Sequence, residues 1–72
     1  MPKRYSSFYV LIILAAHGFV FVAQKGSHIK VRKAGNPVLT VIVPANKKEM
    51  PHGTLRSILR QSQLNIQDFE LS

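Results

Sequence analysis

The sequence has no cysteine and few acidic residues. The absence of cysteine from all 72 residues excludes disulfide bonds, zinc–thiolate sites and catalysis by a thiol. Asp and Glu together number 3 against 10 Lys and Arg, so the formal net charge is +7. Such a charge on a small body favours a polyanionic partner, which would be a nucleic acid, an anionic membrane or an acidic protein.

A long hydrophobic run is also missing. The apolar stretch 8–16 is shorter than the roughly 20 residues that cross a bilayer. Lys3 and Arg4 precede it, as in a secretory signal, but His17-Gly18 interrupts the pattern and no convincing small-x-small cleavage site follows. Removing the stretch would leave about 50 residues, fewer than a domain without disulfides normally needs. The sequence therefore predicts one cytoplasmic domain over residues 1–72.

Caps predict a first helix from Ser7 to His17. Ser6 or Ser7 offers an N-cap oxygen, and Gly18 suits the left-handed turn that often follows a helix. The segment is apolar on every side and carries several β-branched residues, whereas a surface helix shows one apolar stripe. We therefore expect either a helix that is covered on both faces or a strand.

Three strands and a second helix are predicted next. Aromatic, β-branched and alternating residues predict strands over Phe19–Gln24, His28–Lys33 and Val38–Val43, joined by short turns as in an antiparallel meander. Helical spacing predicts Thr54–Gln63, and a final capped turn at Asn65 is expected to return Phe69 to the core. The order α-β-β-β-α indicates an α+β two-layer sandwich with both helices on one face of a three-stranded antiparallel sheet. Double-stranded-RNA-binding domains share this order.

Several motifs together resemble one family. They are Gly18-Phe19, Gln24-Lys25-Gly26-Ser27-His28, Pro44, Lys47-Lys48-Glu49 and Gly53-Thr54-Leu55-Arg56-Ser57-Ile58-Leu59-Arg60-Gln61. In this combination the chain resembles the HicA toxins of type II toxin–antitoxin systems, from about Ser7 to Phe69. It departs from the family pattern where Ile29 follows the histidine and where residues 8–16 carry no charge.

The resemblance implies an activity and a partner. It implies a double-stranded-RNA-binding-like fold and an endoribonuclease that cleaves messenger RNA without a metal or other cofactor. It also implies that a HicB-type antitoxin neutralises the toxin. The catalytic histidine of the family follows Gly-Ser, which places it at His28 in this chain.

Elementary chemistry supports a histidine in this role. RNA carries its own nucleophile, the ribose 2′-OH, and imidazole titrates near working pH and can accept that proton. Lys30 and Arg32 share the predicted strand face of His28, and Lys25 is close in sequence. We expect His28 to act as general base and then as acid, while Lys25 and Lys30 hold the phosphate. Considered without the resemblance, a histidine that begins a strand is more often an ordinary surface residue.

Further residues are candidates for RNA contact. Ser27 is expected either to orient His28 or contact phosphate, or to bond the backbone of its own turn. Four cations either hold the RNA backbone or form a solvated face: Lys47, Lys48, Arg56 and Arg60. His17 is predicted to be a helix-end residue, and His52 is the candidate for a second catalytic histidine.

Two other functions fit the same sequence. A non-catalytic RNA-binding module of this fold would need no titratable group at position 28 and would leave RNA intact. A membrane-active peptide would use Lys3, Arg4 and the apolar stretch, although we expect no membrane partner. The uncharged first helix is expected to be buried against the antitoxin or in a homodimer, because exposed apolar patches usually mark contacts.

Overall fold

Three helices and three strands make up the described part of the chain. The structure is a computed structural model that describes residues 4–70, so Lys3 of the signal-like segment lies outside it. The elements are α1 (Ser7–Ala16), β1 (Val20–Lys25), β2 (His28–Lys33), β3 (Leu39–Pro44), α2 (His52–Ser62) and α3 (Ile66–Glu70). This is the predicted α-β-β-β-α order, with the final turn forming a short third helix.

The sheet is antiparallel throughout, with its strands in the order β1-β2-β3. Val31, Val41 and Val43 are buried on one face of it, where α1 and α2 pack against β3. Because successive side chains alternate between faces, His28 and Lys30 point to the opposite face. The predicted α+β sandwich, similar to a double-stranded-RNA-binding domain, is confirmed.

The boundaries of several elements differ from the prediction. Phe19 and Val38 precede their strands, whereas Lys25 and Pro44 are paired in them. Pro44 is tolerated because β3 is an edge strand, where a missing N–H need not remove a ladder hydrogen bond. The second helix begins at His52, earlier than predicted, because no side-chain cap marks its start in the sequence.

Both ends of α1 carry the predicted caps. Ser6 Oγ accepts a hydrogen bond from the Tyr9 N–H at 3.0 Å, which makes Ser6 the N-cap. At the other end Gly18, with φ +96°, donates to the Ala15 carbonyl at 3.0 Å, and Phe19 N donates to the Leu14 carbonyl at 3.0 Å. This pair of bonds is a Schellman motif, which satisfies carbonyls that the helix leaves free.

One side of α1 is covered and the other is not. Val10, Ile13 and Leu14 are buried in the core, whereas Phe8 is 74% exposed and Ile12 is 48% exposed. The predicted helix is confirmed and the strand alternative is wrong, and within the chain by itself only one face of the helix is covered. The physical reason is that a two-layer fold offers α1 only one layer to pack against.

An aromatic cluster joins the N-terminal and C-terminal segments. The rings of Tyr5 and Tyr9 stack with centroids 5.2 Å apart, and Phe69 packs against Tyr5 at 5.9 Å. Phe69 is fully buried, as predicted, and the Asn65 N–H donates to Asp68 Oδ2 at 2.8 Å at the start of α3. Burial raises the pKa of the Tyr5 hydroxyl above its ordinary value, and the nearby Glu70 carboxylate adds to this.

Strand β1 lies at the edge of the sheet without a cover. All six of its residues are exposed, and Val20 and Phe21 each keep 64% of their surface. Its pairing with β2 shifts register between Phe21 and Ala23, so the strand carries a β-bulge at Val22. Within residues 4–70, every helix is too short or too polar to cross a membrane.

Candidate functional site

His28 lies where three strands and a tight turn come together. It is the first residue of β2 and is exposed, with Lys25 as its partner on β1 and Pro44 as its partner on β3. Gly26 takes the left-handed conformation that the preceding turn needs, with φ +59°. The Ala45 N–H donates to the Ser27 carbonyl at 2.6 Å, so the backbone just before His28 is held from the β3 side as well.

An open groove runs from His28 to α2, and we call it the His28 groove. It has a volume of about 460 Å³. Its lining residues come from β2, β3, the following loop and one face of α2: His28, Ile42, Pro44, Lys47, Pro51, Gly53, Thr54, Ser57 and Gln61. None of them is acidic, and the positive end of the α2 dipole adds to the field of Lys47. The groove therefore favours an anion.

A cationic patch adjoins the groove on the open face of the sheet. Lys25 and Lys30 line a second depression together with His28, Ala23 and Ile42. The strand pairing accounts for this, because Lys25 is opposite His28, and Lys30 lies between Ala23 and Ile42. His28 thus shares one depression with Lys25 and Lys30 on the sheet and the groove with Lys47.

A buried serine of α1 holds the loop that carries Lys47. Ser7 Oγ donates to the Pro44 carbonyl at 2.6 Å and accepts from the Lys47 N–H at 2.9 Å. The Ser7 N–H also donates to the Lys47 carbonyl at 2.8 Å. Lys47 is therefore anchored through its backbone while its side chain stays exposed.

The structure separates the remaining predicted RNA contacts into near and distant ones. Arg60 is near, because its Nη2 donates to Ser57 of the groove at 3.3 Å. Arg32 lies farther along the sheet face, where its Nε donates to Thr40 Oγ1 at 3.5 Å. Lys48 and Arg56 line other depressions, away from His28.

Ser27 and the other two histidines also have defined places. The Ser27 side chain is exposed and makes no hydrogen bond with any residue in the range 4–70, neither to His28 nor to its own turn. His17 is the C-cap of α1, as predicted. His52 begins α2 but lines a cavity with Tyr5, so the structure does not bring it together with His28.

One wall of the groove was not predicted from the sequence. Thr54, Ser57 and Gln61 share one face of α2, since their spacing follows the helical repeat. Gln61 Oε1 accepts a hydrogen bond from the Ile42 N–H at 2.9 Å, which covers part of the open edge of β3. The sequence signal was a polar stripe, which resembles an ordinary solvated helix face.

Comparison with known families matches most of the chain. The model of a family described as the HicA toxin of bacterial toxin–antitoxin systems matches residues 10–64. The chain belongs to the HicA toxin family. The matched span contains the whole of the His28 groove. Comparison with individual curated proteins gave no match.

Membership in the HicA family defines a general role. HicA proteins are the toxins of toxin–antitoxin systems, and this chain is accordingly a toxin with an antitoxin partner. The resemblance to HicA toxins, which rests on the Gly-Ser-His turn and the Gly-Thr-Leu-Arg motif, is thus confirmed at the level of the family.

Proposed function

We propose that this HicA toxin is a metal-independent endoribonuclease that cleaves messenger RNA, with His28 as its catalytic base. The observation that supports the proposal is the position of His28. Its side chain is exposed at the mouth of a groove without acidic residues, between Lys25 and Lys30 on one side and Lys47 on the other. An imidazole in depressions that are lined by lysine residues suits a phosphodiester better than it suits a neutral substrate.

The reaction would need only a proton carrier and fixed positive charge. His28 accepts the proton of the ribose 2′-OH as its oxygen attacks the adjacent phosphorus. The bond between phosphorus and the 5′-oxygen breaks, and the imidazolium returns the proton to that oxygen. The products are a 2′,3′-cyclic phosphate and a 5′-hydroxyl. Lys25, Lys30 and Lys47 stabilise the charge that builds on the phosphate oxygens.

The other predicted cations contribute to binding rather than to the reaction. Arg32, Lys48, Arg56 and Arg60 are all exposed, and they extend positive charge along the sheet and α2. Contacts between such groups and RNA phosphates release counterions, so affinity should fall steeply as salt rises. Ser27, with a free hydroxyl next to His28, is placed to reach the same phosphate.

The decisive experiment compares His28→Ala with His52→Ala in a cleavage assay that contains EDTA. Both histidines are exposed, but only His28 lines the groove. We expect wild type and His52→Ala to cut a single-stranded RNA, and His28→Ala to be slower by about 100-fold or more. The same strand made with deoxyribose should bind and stay intact.

Two outcomes would contradict the proposal. A folded His28→Ala variant that cuts at the wild-type rate would remove His28 from the mechanism. RNA that binds to the wild type but remains whole would identify the chain as a non-catalytic RNA-binding module.

The antitoxin partner is of the HicB type and acts by covering the basic face that carries His28. A protein with an acidic surface would meet this chain quickly, because the net charge here is +7. Messenger RNA as substrate places the action in the cytoplasm. Adding the purified antitoxin should stop RNA cleavage, and high salt should weaken that inhibition. Full cleavage by the assembled complex would contradict this mode of control.

A further inference from the structure

A short chain of hydrogen bonds connects the edge of the sheet with the wall of the His28 groove. The Ile42 N–H donates to Gln61 Oε1 at 2.9 Å, and Gln61 Nε2 donates to Ser57 Oγ at 3.2 Å. Arg60 Nη2 donates to the same Ser57 oxygen at 3.3 Å. Ser57 and Gln61 line the groove that begins at His28.

The direction of every bond in this chain is fixed by chemistry. A backbone N–H can only donate, so the Gln61 amide must turn its oxygen to Ile42 and its NH2 group to Ser57. Gln61 and Arg60 together fill both acceptor positions of the Ser57 hydroxyl. Ser57 is therefore left with a hydrogen to donate, and within residues 4–70 it donates to no acceptor.

The wall of the His28 groove that α2 forms thus offers hydrogen-bond donors to a ligand. The second hydrogen of Gln61 Nε2 also has no acceptor among the described residues. The lining of the groove includes Lys47 and no acidic residue. A ligand that suits these groups carries negative charge and several acceptor oxygens, as a phosphodiester does.

We infer that Ser57 donates a hydrogen bond to a non-bridging oxygen of the RNA phosphate cleaved at His28, and that Gln61 is the positioning residue that directs the Ser57 hydroxyl. The inference rests on the proposed ribonuclease function and adds a residue to it. Ser57 neither gives nor takes a proton in the reaction. Its bond strengthens as charge builds on the phosphate oxygens, so it should affect the rate more than the binding of RNA.

The first test is Ser57→Ala, with Ser57→Thr as the variant that keeps a hydroxyl. In single-turnover cleavage of a short RNA we expect Ser57→Ala to be about 10- to 100-fold slower. Its affinity for a 2′-O-methyl RNA, which cannot be cut, should change less than threefold or so by the same argument. Ser57→Thr should recover part of the rate. Equal rates for wild type and a folded Ser57→Ala would overturn the inference.

The second test is Gln61→Glu, which separates positioning from support of the fold. The carboxylate keeps an acceptor for the Ile42 N–H, so the cover on the β3 edge and the thermal stability should persist. The carboxylate cannot donate to Ser57 and instead accepts from it, which withdraws the hydroxyl hydrogen from the phosphate. We expect a rate loss at least as large as that of Ser57→Ala, and no loss in the control Gln67→Ala on α3. A Gln61→Glu variant that cuts normally would overturn the positioning role.

A third measurement needs no variant. When ¹⁵N-labelled wild type is titrated with the 2′-O-methyl RNA, the side-chain NH2 signal of Gln61 should shift together with the signals of His28, and that of Gln67 should not. If the RNA shifts the signals of His28 and leaves the side-chain signal of Gln61 unchanged, the inference is overturned. If the wild type cuts no RNA at all, the proposed function fails. If it cuts RNA and depends on His28 but not on Ser57, only the present inference fails.

Discussion

Two grooves of this chain share a loop and differ in the surface that they expose. The His28 groove, about 460 Å³, exposes polar and apolar surface in similar amounts, and its lining includes His28 and Lys47. The groove on the other side of the loop, which we call the α1 groove, measures about 550 Å³. Its exposed surface is mostly apolar, and Phe8, Leu11 and Ile29 are among its lining residues. Lys47 borders both of them.

The comparison shows how one small core supports two kinds of surface. Ser7, at the start of α1, connects the shared loop to the end of β3 through hydrogen bonds with Pro44 and Lys47. Under the proposed function, the His28 groove holds the RNA phosphate that is cleaved. The α1 groove has exposed apolar surface, and such surface usually marks a contact with another protein.

The largest effect on the free energy of unfolding is expected when a buried aromatic residue is replaced. Phe69 is 0% exposed, so Phe69→Ala should lower the free energy of unfolding by about 3–5 kcal/mol, because it removes core contacts and leaves a cavity. Chemical denaturation measures this. A loss below about 1 kcal/mol would show that α3 adds little to the core.

The next largest effect is expected when Ser7, which holds the loop between the two grooves, is replaced. Ser7→Ala removes the side-chain bonds to the Pro44 carbonyl and the Lys47 N–H, and should lower the free energy of unfolding by about 1–3 kcal/mol. It should also slow RNA cleavage, since Lys47 loses an anchor. Ser6→Ala is the matched control, because it removes only the N-cap of α1 and costs about 1 kcal/mol. Normal cleavage by Ser7→Ala would show that the loop keeps its place without this serine.

A smaller effect should distinguish two neighbouring lysines. Lys47 lines the His28 groove and Lys48 does not. Lys47→Gln should weaken RNA binding by roughly 1 kcal/mol and reduce the slope of log affinity against log salt by about 1. Lys48→Gln should have a weaker effect on both. Affinity measured at several salt concentrations tests the difference, and equal effects would mean that RNA covers both sides of the loop.

The smallest effect on the free energy of unfolding is expected for Phe8, which lines the α1 groove. Phe8 is 74% exposed, so Phe8→Ser should change the free energy of unfolding of the isolated chain by no more than about 0.5 kcal/mol. The contrast with Phe69→Ala, made in the same denaturation experiment, is the control. A loss above about 1 kcal/mol would reveal that Phe8 is covered, for example in a homodimer.

Local signals predicted most of the fold. Ser6 and Gly18 marked α1 as a helix although Val10, Ile12 and Ile13 favour strands, because caps act at the ends and are independent of the residues between them. Alternation placed Val31 in the core and His28 on the open face. The start of α2 had no such signal, and its position was predicted less well.

Exposure could not be predicted, because it depends on where other elements lie. The apolar residues of β1 look like those of a buried strand, yet Val20 and Phe21 are exposed. The reason is that, of the three strands, α1 and α2 pack mainly against β3, whereas β1 packs mainly against β2. For the same reason Ser57 and Gln61 were missed. Their roles depend on the open edge of β3, and nothing in the sequence of α2 indicates that Ile42 will be its neighbour.

The groove at His28 is assembled from segments that lie far apart along the chain, and its last wall ends at Gln61. A polypeptide interrupted at any point before Gln61 therefore lacks part of the site, even though it already contains His28 and all three lysines around it. Under the proposed function, fragments released by premature termination of translation should have no ribonuclease activity, and proteolysis within α2 should inactivate the toxin.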